Sequence, residues 1–373
     1  MTDFYCSAIH KNIRLDIDVQ TKSLQVLPCC VYKTTNQYTS LEQYESSEEI
    51  RSLKTATEWP GGCDVCRTQE QQNQTSYRQQ ANQSLKNISG RRYEVMPSNV
   101  CNLRCLMCNS KASTALAKER FQVGIDSKNL AYDVDVSRQQ LAILAEDTEV
   151  ESISLIGGEF FLNKNSLEFL DLVIQRNIPL RVVTNATVIL EPFISKLQQI
   201  QNLELQISID GRDAGYEFMR YPAKWSVFDS IASEIIQRLK TAKINFHFVA
   251  QPLNIQQLVP VMDYANQQRK PLRVTNLVAP KNLSWQILTD AEKSDLNEVI
   301  ATQLTQYRLA TSQKNEVENY LKLMKNTVHN SALRAEFDVY VNSMVEKRTI
   351  DWPALKESNL HPRVRSTVFC PLN

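Results

Sequence analysis

Short runs of β-branched and other apolar residues alternate with segments of helical length between about residues 92 and 280. This alternation is typical of repeated βα units, whose helices return the chain to the start of the next parallel strand. The sequence therefore predicts an α/β fold with a parallel sheet. The predicted strands are 93–96, 150–156, 180–184, 203–209, 244–250 and 273–277.

The helical pattern is clearest over residues 224–240, where apolar residues recur at spacings of three and four. That spacing gives one apolar stripe, which predicts a helix lying on the sheet. After Pro280 the strand pattern stops and helices are predicted over 289–307 and 314–345, with Asp290 in a first turn. We expect a C-terminal helical extension.

The first ninety residues differ in composition from the rest, because they are rich in Gln and hold five of the nine cysteines. The sequence Trp59-Pro60-Gly61-Gly62 breaks regular structure just before Cys63. We predict a cysteine-rich module over 1–88, a barrel domain over 89–280 and a helical extension over 281–373. The apolar-poor segment 69–87 is either a linker or, through residues 76–78 and Asn82, a tie between the two parts.

Composition and charge exclude several classes of protein. The chain has 373 residues, 42% of them hydrophobic, which suffices for a sizeable core. A net charge of +1 argues against binding to nucleic acid or to anionic lipid. No apolar run approaches the roughly 20 residues of a membrane span, and the polar N-terminus has no signal-peptide core. We expect a cytoplasmic protein, whose nine cysteines serve metal or catalytic chemistry rather than disulfides.

One group of cysteines, Cys101, Cys105 and Cys108, has the spacing C-x3-C-x2-C. One tight loop with this spacing can present three thiolates to three corners of an iron-sulfur cube. The fourth iron is then open to the amino and carboxylate groups of a small molecule. A zinc site would need a fourth ligand, and Asn109 and Ser110 are poor zinc ligands.

At these residues the chain resembles the radical S-adenosylmethionine (SAM) enzymes, whose signature is this spacing after the first strand of a partial βα barrel. Further motifs follow the predicted strands in the order that the family has them. The resemblance assigns Met107 to the adenine and the Gly157-Gly158-Glu159 turn to the methionine part of SAM, with Glu159 on the ammonium and Arg220 near the carboxylate. It places Ser208 and Asp210 in the ribose-binding segment. Thr184 and Asn185 would line the site.

The resemblance implies a partial (βα)6 TIM-like barrel that holds a 4Fe-4S cluster and SAM. It implies reductive cleavage of SAM to methionine and a 5′-deoxyadenosyl radical, which takes a hydrogen atom from a substrate, with electrons from a donor such as ferredoxin or flavodoxin. The glycine-rich segment of the family's fifth strand is missing here, which puts adenine contacts there in doubt. His247 on that strand is expected to be a core or barrel-facing residue.

The upstream cysteines form a second group. Cys63 and Cys66 have the C-x2-C spacing with which one turn binds a metal, and Cys6 with Cys29 or Cys30 completes a set of four. We assign Cys29 as the ligand and Cys30 as the spare thiol, but the spacing leaves the choice between them open. These segments resemble the auxiliary-cluster modules called SPASM or twitch domains, which usually follow the barrel rather than precede it. An auxiliary 4Fe-4S cluster, structural zinc and no metal all stay open. Cys370 is either incidental or a distant ligand.

Relatives with such modules most often modify ribosomally made peptides as oxidoreductases or lyases, which implies a precursor peptide as partner, without nucleic acid or membrane. A small separate leader-binding protein is expected to deliver the peptide. The layout resembles spliceases, which excise tyramine from a tyrosine and leave an α-keto-β-amino acid. Thioether formation, epimerisation, a carbon-carbon crosslink, a small-molecule substrate and a non-enzymatic metal-binding protein are the alternatives.

Overall fold

Eight strands form one sheet in the computed structural model, which describes residues 4–71 and 75–350. In chain order they are β1 (Asn12–Asp18), β2 (Ser23–Leu27), β3 (Arg91–Val95), β4 (Val150–Leu155), β5 (Leu180–Thr184), β6 (Leu203–Ser208), β7 (Lys243–Ala250) and β8 (Leu272–Asn276). The order in the sheet is β2-β1-β3-β4-β5-β6-β7-β8. Strand β2 runs antiparallel to β1, whereas β1 with β3, β3 with β4, β4 with β5 and β7 with β8 are parallel pairs.

Helices follow the strands, as expected for βα units. Within the described residues they are α1 (Ser7–Lys11), α2 (Leu41–Ser46), α3 (Glu48–Thr55), α4 (Asp64–Gln71), α5 (Tyr77–Ser84), α6 (Thr114–Gln122), α7 (Ser137–Glu146), α8 (Ser166–Arg176), α9 (Glu191–Leu197), α10 (Asp213–Met219), α11 (Trp225–Arg238), α12 (Leu258–Gln267), α13 (Asp290–Gln306), α14 (Thr311–Asn326) and α15 (Ser331–Lys347). The α/β class and the partial barrel of six βα units, β3 to β8, are confirmed.

All six predicted strands are present, and α11 coincides with the predicted helix on the sheet. The N-terminal hairpin of β1 and β2 was not predicted, although it extends the sheet by pairing Leu15 with Val95. Ile13, Leu15 and Ile17 alternate with polar residues along β1, so the local pattern of a strand is present in the sequence. Asp16 is buried among them and pairs with the half-buried Arg14 at 2.9 Å.

The chain divides into two compact units. Unit 1 comprises 1–100, 132–184 and 190–205, and unit 2 comprises 101–131, 185–189 and 206–373, with only the described residues considered in each. Each unit has its own aromatic core, which includes Phe161, Phe169 and Phe193 in unit 1 and Phe228 and Phe246 in unit 2. The predicted domain boundaries at 88 and 280 stay predictions.

The part of segment 69–87 that the structure describes is tied into unit 1 and is not a free linker. Ser76 caps α5 in a reciprocal capping box. The guanidinium of Arg78 pairs with Glu70 at 2.6 Å, and the side-chain oxygen of Asn82 accepts the amide of Ser7 at 2.7 Å. The hydroxyl of Tyr77 also donates to Glu94 of β3 at 3.0 Å, so the segment contacts the barrel strand, as the second interpretation expected.

The C-terminal part of unit 2 is helical, and the helical pattern over 314–345 is divided between two elements. These are α14 and α15, and the side chain of Asn330 starts the second by accepting the amides of Ala332 and Leu333, both at 3.1 Å. This is the ordinary chemistry of an N-terminal cap. Along the described ranges, no helix is long and apolar enough to cross a membrane.

Candidate active site

The cysteine loop, residues 101–108, lies in unit 2 and has no regular secondary structure over most of its length. Its backbone is held by the chain that follows α10. The amide of Arg104 donates to the carbonyl of Tyr221 at 2.7 Å, and the amide of Leu106 donates to the carbonyl of Met219 at 3.0 Å. The loop therefore depends on a segment more than a hundred residues away.

Hydrogen-bond donors point at two of the three sulfur atoms. The side-chain amide of Asn185 lies 3.9 Å from Sγ of Cys101, and the guanidinium of Arg220 lies 3.9 Å from Sγ of Cys105. The backbone amide of Leu103 lies 3.5 Å from Sγ of Cys101. Donors to sulfur favour the thiolate and tune a cluster bound to it.

Burial raises the pKa of the Cys105 thiol to about 12, although the cation of Arg220 opposes the shift. It also raises the pKa of Cys108. A metal that binds here must therefore displace protons, as metal binding to thiols does in general.

The donor set of the cysteine loop fits an iron-sulfur cube. Across residues 4–71 and 75–350, no three His, Cys, Asp or Glu side chains are grouped as ligands of one metal ion. A single zinc ion needs its ligand sulfurs all about 2.3 Å from one point. A cube takes each thiolate at a different iron, so its ligands stand further apart.

The Gly-Gly-Glu turn lies in unit 1. Gly157 and Gly158 both adopt left-handed backbone conformations, with φ of 78° and 52°. A Cβ atom on Gly158 would lie 2.5 Å from the carbonyl oxygen of Val100, so the turn also needs glycine for its close approach to the chain before the cysteine loop.

Glu159 follows this turn with only 1% of its surface exposed. The hydroxyl of Thr184 donates to Oε1 of Glu159 at 2.6 Å, so two residues predicted for the cofactor site are in contact. Glu159 also lines a small cavity together with Ser98, Asn163 and Ser166. Hydroxyl and amide groups therefore surround a buried carboxylate.

Asp210 and Arg220 form a buried ion pair in unit 2, with 2.5 Å between the guanidinium and Oδ2. Oδ1 of Asp210 accepts the amide of Val249 at 2.8 Å. Burial raises the pKa of Asp210, and Arg220 opposes this. Nε of Arg220 is buried with no hydrogen-bond partner in the part of the chain that the structure describes. Arg220 thus keeps a free donor for an anion, while Asp210 is held by its ion pair with Arg220 and by the amide of Val249.

The remaining predicted cofactor residues of unit 2 are partly engaged by the protein. Asn185 donates to the side chain of Asn102 at 3.0 Å and accepts from the hydroxyl of Thr187 at 2.6 Å. Met107 in the cysteine loop and Ser208 at the end of β6 are both half-buried. Their contacts with SAM stay predictions.

The four upstream cysteines converge on one cavity in unit 1. Cys6, Cys29, Cys63 and Cys66 all line it, whereas Cys30 does not and is exposed. The four predicted ligands, with Cys29 rather than Cys30, thus line one cavity, although across the described residues no three of them are grouped around one metal-ion position. The other cysteine predicted as a distant or incidental thiol, Cys370, lies outside the described residues.

This cavity places the thiols in an apolar setting. Burial raises the pKa of Cys63 to about 12, and the nearby Cys6 and Cys66 add to the shift. Burial also raises the pKa of Cys29. Arg78, which lines the same cavity, is the cation that opposes the shift at Cys63. Neutral thiols are therefore expected until a metal replaces their protons.

His247 is satisfied by its neighbours, as expected. Its Nδ1 lies 2.9 Å from the side-chain nitrogen of Gln206, and its Nε2 lies 2.8 Å from the hydroxyl of Thr275. Because the amide nitrogen is a donor, Nδ1 accepts and Nε2 donates.

Sequence reasoning missed three residues that contact the cysteine loop or its neighbours in unit 2, namely Glu119, Tyr340 and Arg348. No motif marks them. The only signal is a charged residue, Glu119, at a position of α6 that is buried.

A model of the Radical SAM superfamily matches residues 95–264, a range that includes the cysteine loop, the Gly-Gly-Glu turn and Arg220. The chain contains a radical SAM domain. This match covers a little under half of the chain and bears out the radical SAM domain expected from the motifs, which implies a 4Fe-4S cluster and SAM as cofactors.

Several solved structures, two of them with bound SAM, are similar to the chain at low identity. Streptococcus suis SuiB bound to SAM is 19% identical, with a TM-score of 0.39 over 61% of this chain and 49% of that one. SuiB bound to the precursor peptide SuiA is 17% identical, with a TM-score of 0.40 over 71% and 58%. Native anSMEcpe with bound AdoMet is 18% identical, with a TM-score of 0.42 over 64% of each chain.

The chain spans about half to two thirds of the length of these proteins. Likenesses with these TM-scores carry no argument about its substrate. No curated protein matches the chain. The assignment to the radical SAM family therefore depends on the domain match.

The ion pair inside the radical SAM domain gives a prediction about stability. Asp210→Asn should lower the free energy of unfolding by about 3 kcal/mol, because it leaves a buried guanidinium without its counter-charge. The matched control is Asp213→Asn, three residues further on, where the side chain is 71% exposed. That variant should cost less than about 0.5 kcal/mol. Urea unfolding of the three proteins checks this, and equal losses in both variants would contradict it.

Proposed function

We propose that the chain reductively cleaves SAM and uses the product to modify a ribosomally synthesised precursor peptide. The observation that carries the first part is the cysteine loop, in which three thiols follow β3 of a radical SAM domain and two of them receive donors from Asn185 and Arg220. When bound, the cluster and SAM supply a 5′-deoxyadenosyl radical that abstracts a hydrogen atom.

The residues of the chain bind and orient. Cys101, Cys105 and Cys108 hold the cluster. Glu159 accepts the methionine ammonium, and its buried carboxylate is kept in place by Thr184. Arg220 offers its free Nε to the methionine carboxylate, since a guanidinium suits a carboxylate in both charge and shape.

Asp210 stays assigned to the ribose-binding segment and has a further role in this proposal. It pairs with Arg220 and accepts the amide of Val249, so it also orients the guanidinium. Met107, Gly157, Gly158, Asn185 and Ser208 stay assigned to the lining of the cofactor site.

Cys6, Cys29, Cys63 and Cys66 hold an auxiliary 4Fe-4S cluster in this proposal. Their shared cavity supports it. With four protein ligands the auxiliary cluster has no open iron, so it serves electron transfer or structure and does not bind substrate directly.

The peptide substrate is supported by the likeness of this cysteine module to SPASM and twitch modules. Backbone splicing that excises tyramine from a tyrosine is the reaction we propose within that class, because the predicted order of cysteine module, barrel and helical extension resembles that of spliceases. A separate leader-binding protein and an electron donor such as ferredoxin or flavodoxin complete the system.

The cysteine loop gives the test of SAM cleavage. Replacing Cys101, Cys105 and Cys108 together by Ala should abolish 5′-deoxyadenosine formation after anaerobic reconstitution and reduction, because no cluster ligand is left in the loop. Chromatography of the reaction mixture measures the product. Cys30→Ala, at an exposed thiol, is the control and should retain product formation. Undiminished 5′-deoxyadenosine formation in the triple variant would contradict the assignment of these three cysteines as ligands of the SAM-binding cluster.

The N-terminal module gives a second test through two adjacent cysteines. Cys29→Ser should reduce the iron content of the reconstituted chain from about eight atoms to about four, because two 4Fe-4S clusters become one. Cys30→Ser should leave it at about eight. Iron and acid-labile sulfide are assayed per chain, together with zinc. Four irons in the parent chain, or equal loss in both variants, would contradict the auxiliary cluster.

A further inference from the structure

We propose that Tyr340 and Arg348 in the C-terminal helical part of unit 2 are positioning residues for the cysteine loop, because they hold the carbonyl groups on either side of Cys105. Tyr340 lies on α15 and Arg348 directly follows it. The inference rests on the proposed function in one respect, namely that this loop binds the cluster.

Tyr340 supplies the first contact. Its hydroxyl donates to the carbonyl oxygen of Leu106 at 2.6 Å, and its side chain is buried. The amide of Leu106 is already bound to the carbonyl of Met219. Both polar groups of Leu106 are therefore engaged by distant parts of unit 2.

Arg348 supplies the second contact. Its guanidinium donates to the carbonyl oxygen of Arg104 at 2.6 Å. The same guanidinium makes a bidentate pair with Glu119, at 2.7 Å and 3.1 Å, and only 1% and 2% of the two side chains are exposed. A buried bidentate pair fixes the direction of the guanidinium. The N–H group of Arg348 that donates to the carbonyl oxygen of Arg104 is therefore held in place.

The two contacts act on the same short piece of chain. The amide of Arg104 is bound to the carbonyl of Tyr221, so Arg104, like Leu106, is held at both its amide and its carbonyl. Cys105 lies between these two fixed residues. Four hydrogen bonds thus set where its thiol can point, although Cys105 itself belongs to an irregular loop.

The same contacts bring charge to the loop. The side chain of Arg104 also pairs with Glu119, at 3.2 Å, so two guanidiniums share one carboxylate. Both guanidiniums lie over the ring of Tyr221, at 4.7 Å and 4.9 Å from its centroid. Two guanidiniums and one carboxylate leave one net positive charge in this cluster, next to the cysteine loop. Net positive charge near a cluster favours its reduced state.

The first test uses the metal-free chain, so it does not depend on any cluster. Tyr340→Phe should speed hydrogen exchange at the amides of Arg104, Leu106 and Cys108 by at least about fivefold, because Leu106 loses the partner of its buried carbonyl. Tyr320→Phe, which removes a hydroxyl from α14, is the matched control and should leave these rates unchanged. Equal rates in the parent chain and both variants would overturn the positioning role.

The second test uses the reconstituted chain and a redox titration followed by electron paramagnetic resonance. Arg348→Met should shift the midpoint potential of the loop's cluster to more negative values, and Glu119→Gln should shift it to less negative values. Arg348→Lys should restore most of the parent potential. If both variants shifted the midpoint potential in the same direction, the proposed effect of charge on the cluster would be overturned. Loosening of the loop alone does not predict shifts of opposite sign.

The two tests separate failure of the inference from failure of the proposed function. A parent chain that assembles no cluster dependent on Cys101, Cys105 and Cys108 contradicts the proposed function, while the exchange rates still decide on the positioning role. A parent chain that assembles the cluster, with unchanged exchange and unchanged potential in the variants, contradicts the inference alone.

Discussion

Three thiols on an irregular loop must be held at fixed positions, and this requirement governs most of what surrounds the loop. A helix or strand fixes its side chains through its own backbone ladder, but residues 101–108 have no such ladder over most of their length. The hydrogen bonds must then come from elsewhere. They come from the carbonyls of Met219 and Tyr221, and from the side chains of Tyr340 and Arg348.

Buried charge is the second recurring feature of unit 2. Asp210 with Arg220, and Glu119 with Arg348, are ion pairs almost without solvent exposure. Such pairs contribute little to stability in themselves, because each charge loses its hydration. Their contribution is to geometry, because each carboxylate fixes the orientation of the guanidinium that it pairs with. One guanidinium lies at Cys105 Sγ and the other at the carbonyl before Cys105.

Patterns local in sequence were predictable, and features that join distant residues were not. Alternating apolar runs identified β3 to β8, and the spacing of Cys101, Cys105 and Cys108 identified the loop. The pairing of β1 with β3 escaped, because Ile13, Leu15 and Ile17 mark a strand by their alternation but carry no sign of a partner strand far along the chain. Tyr340 escaped because 234 residues separate it from Leu106, and a tyrosine on a helix carries no sign of its partner.

The upstream cysteines were predictable only in part from the sequence. Their number and the C-x2-C spacing of Cys63 and Cys66 predicted a shared site, but only the fold distinguishes Cys29, which lines the cavity, from the exposed Cys30. The side-chain direction of adjacent residues depends on the local backbone, which sequence spacing does not fix. The most direct measurement of the central claim is the electron paramagnetic resonance spectrum of the reduced, reconstituted Cys63→Ala, Cys66→Ala chain, recorded with and without SAM. A cluster held by three cysteines has an iron open to SAM, so the account predicts a spectrum that changes when SAM is added. A cluster signal that stays the same at saturating SAM would contradict it.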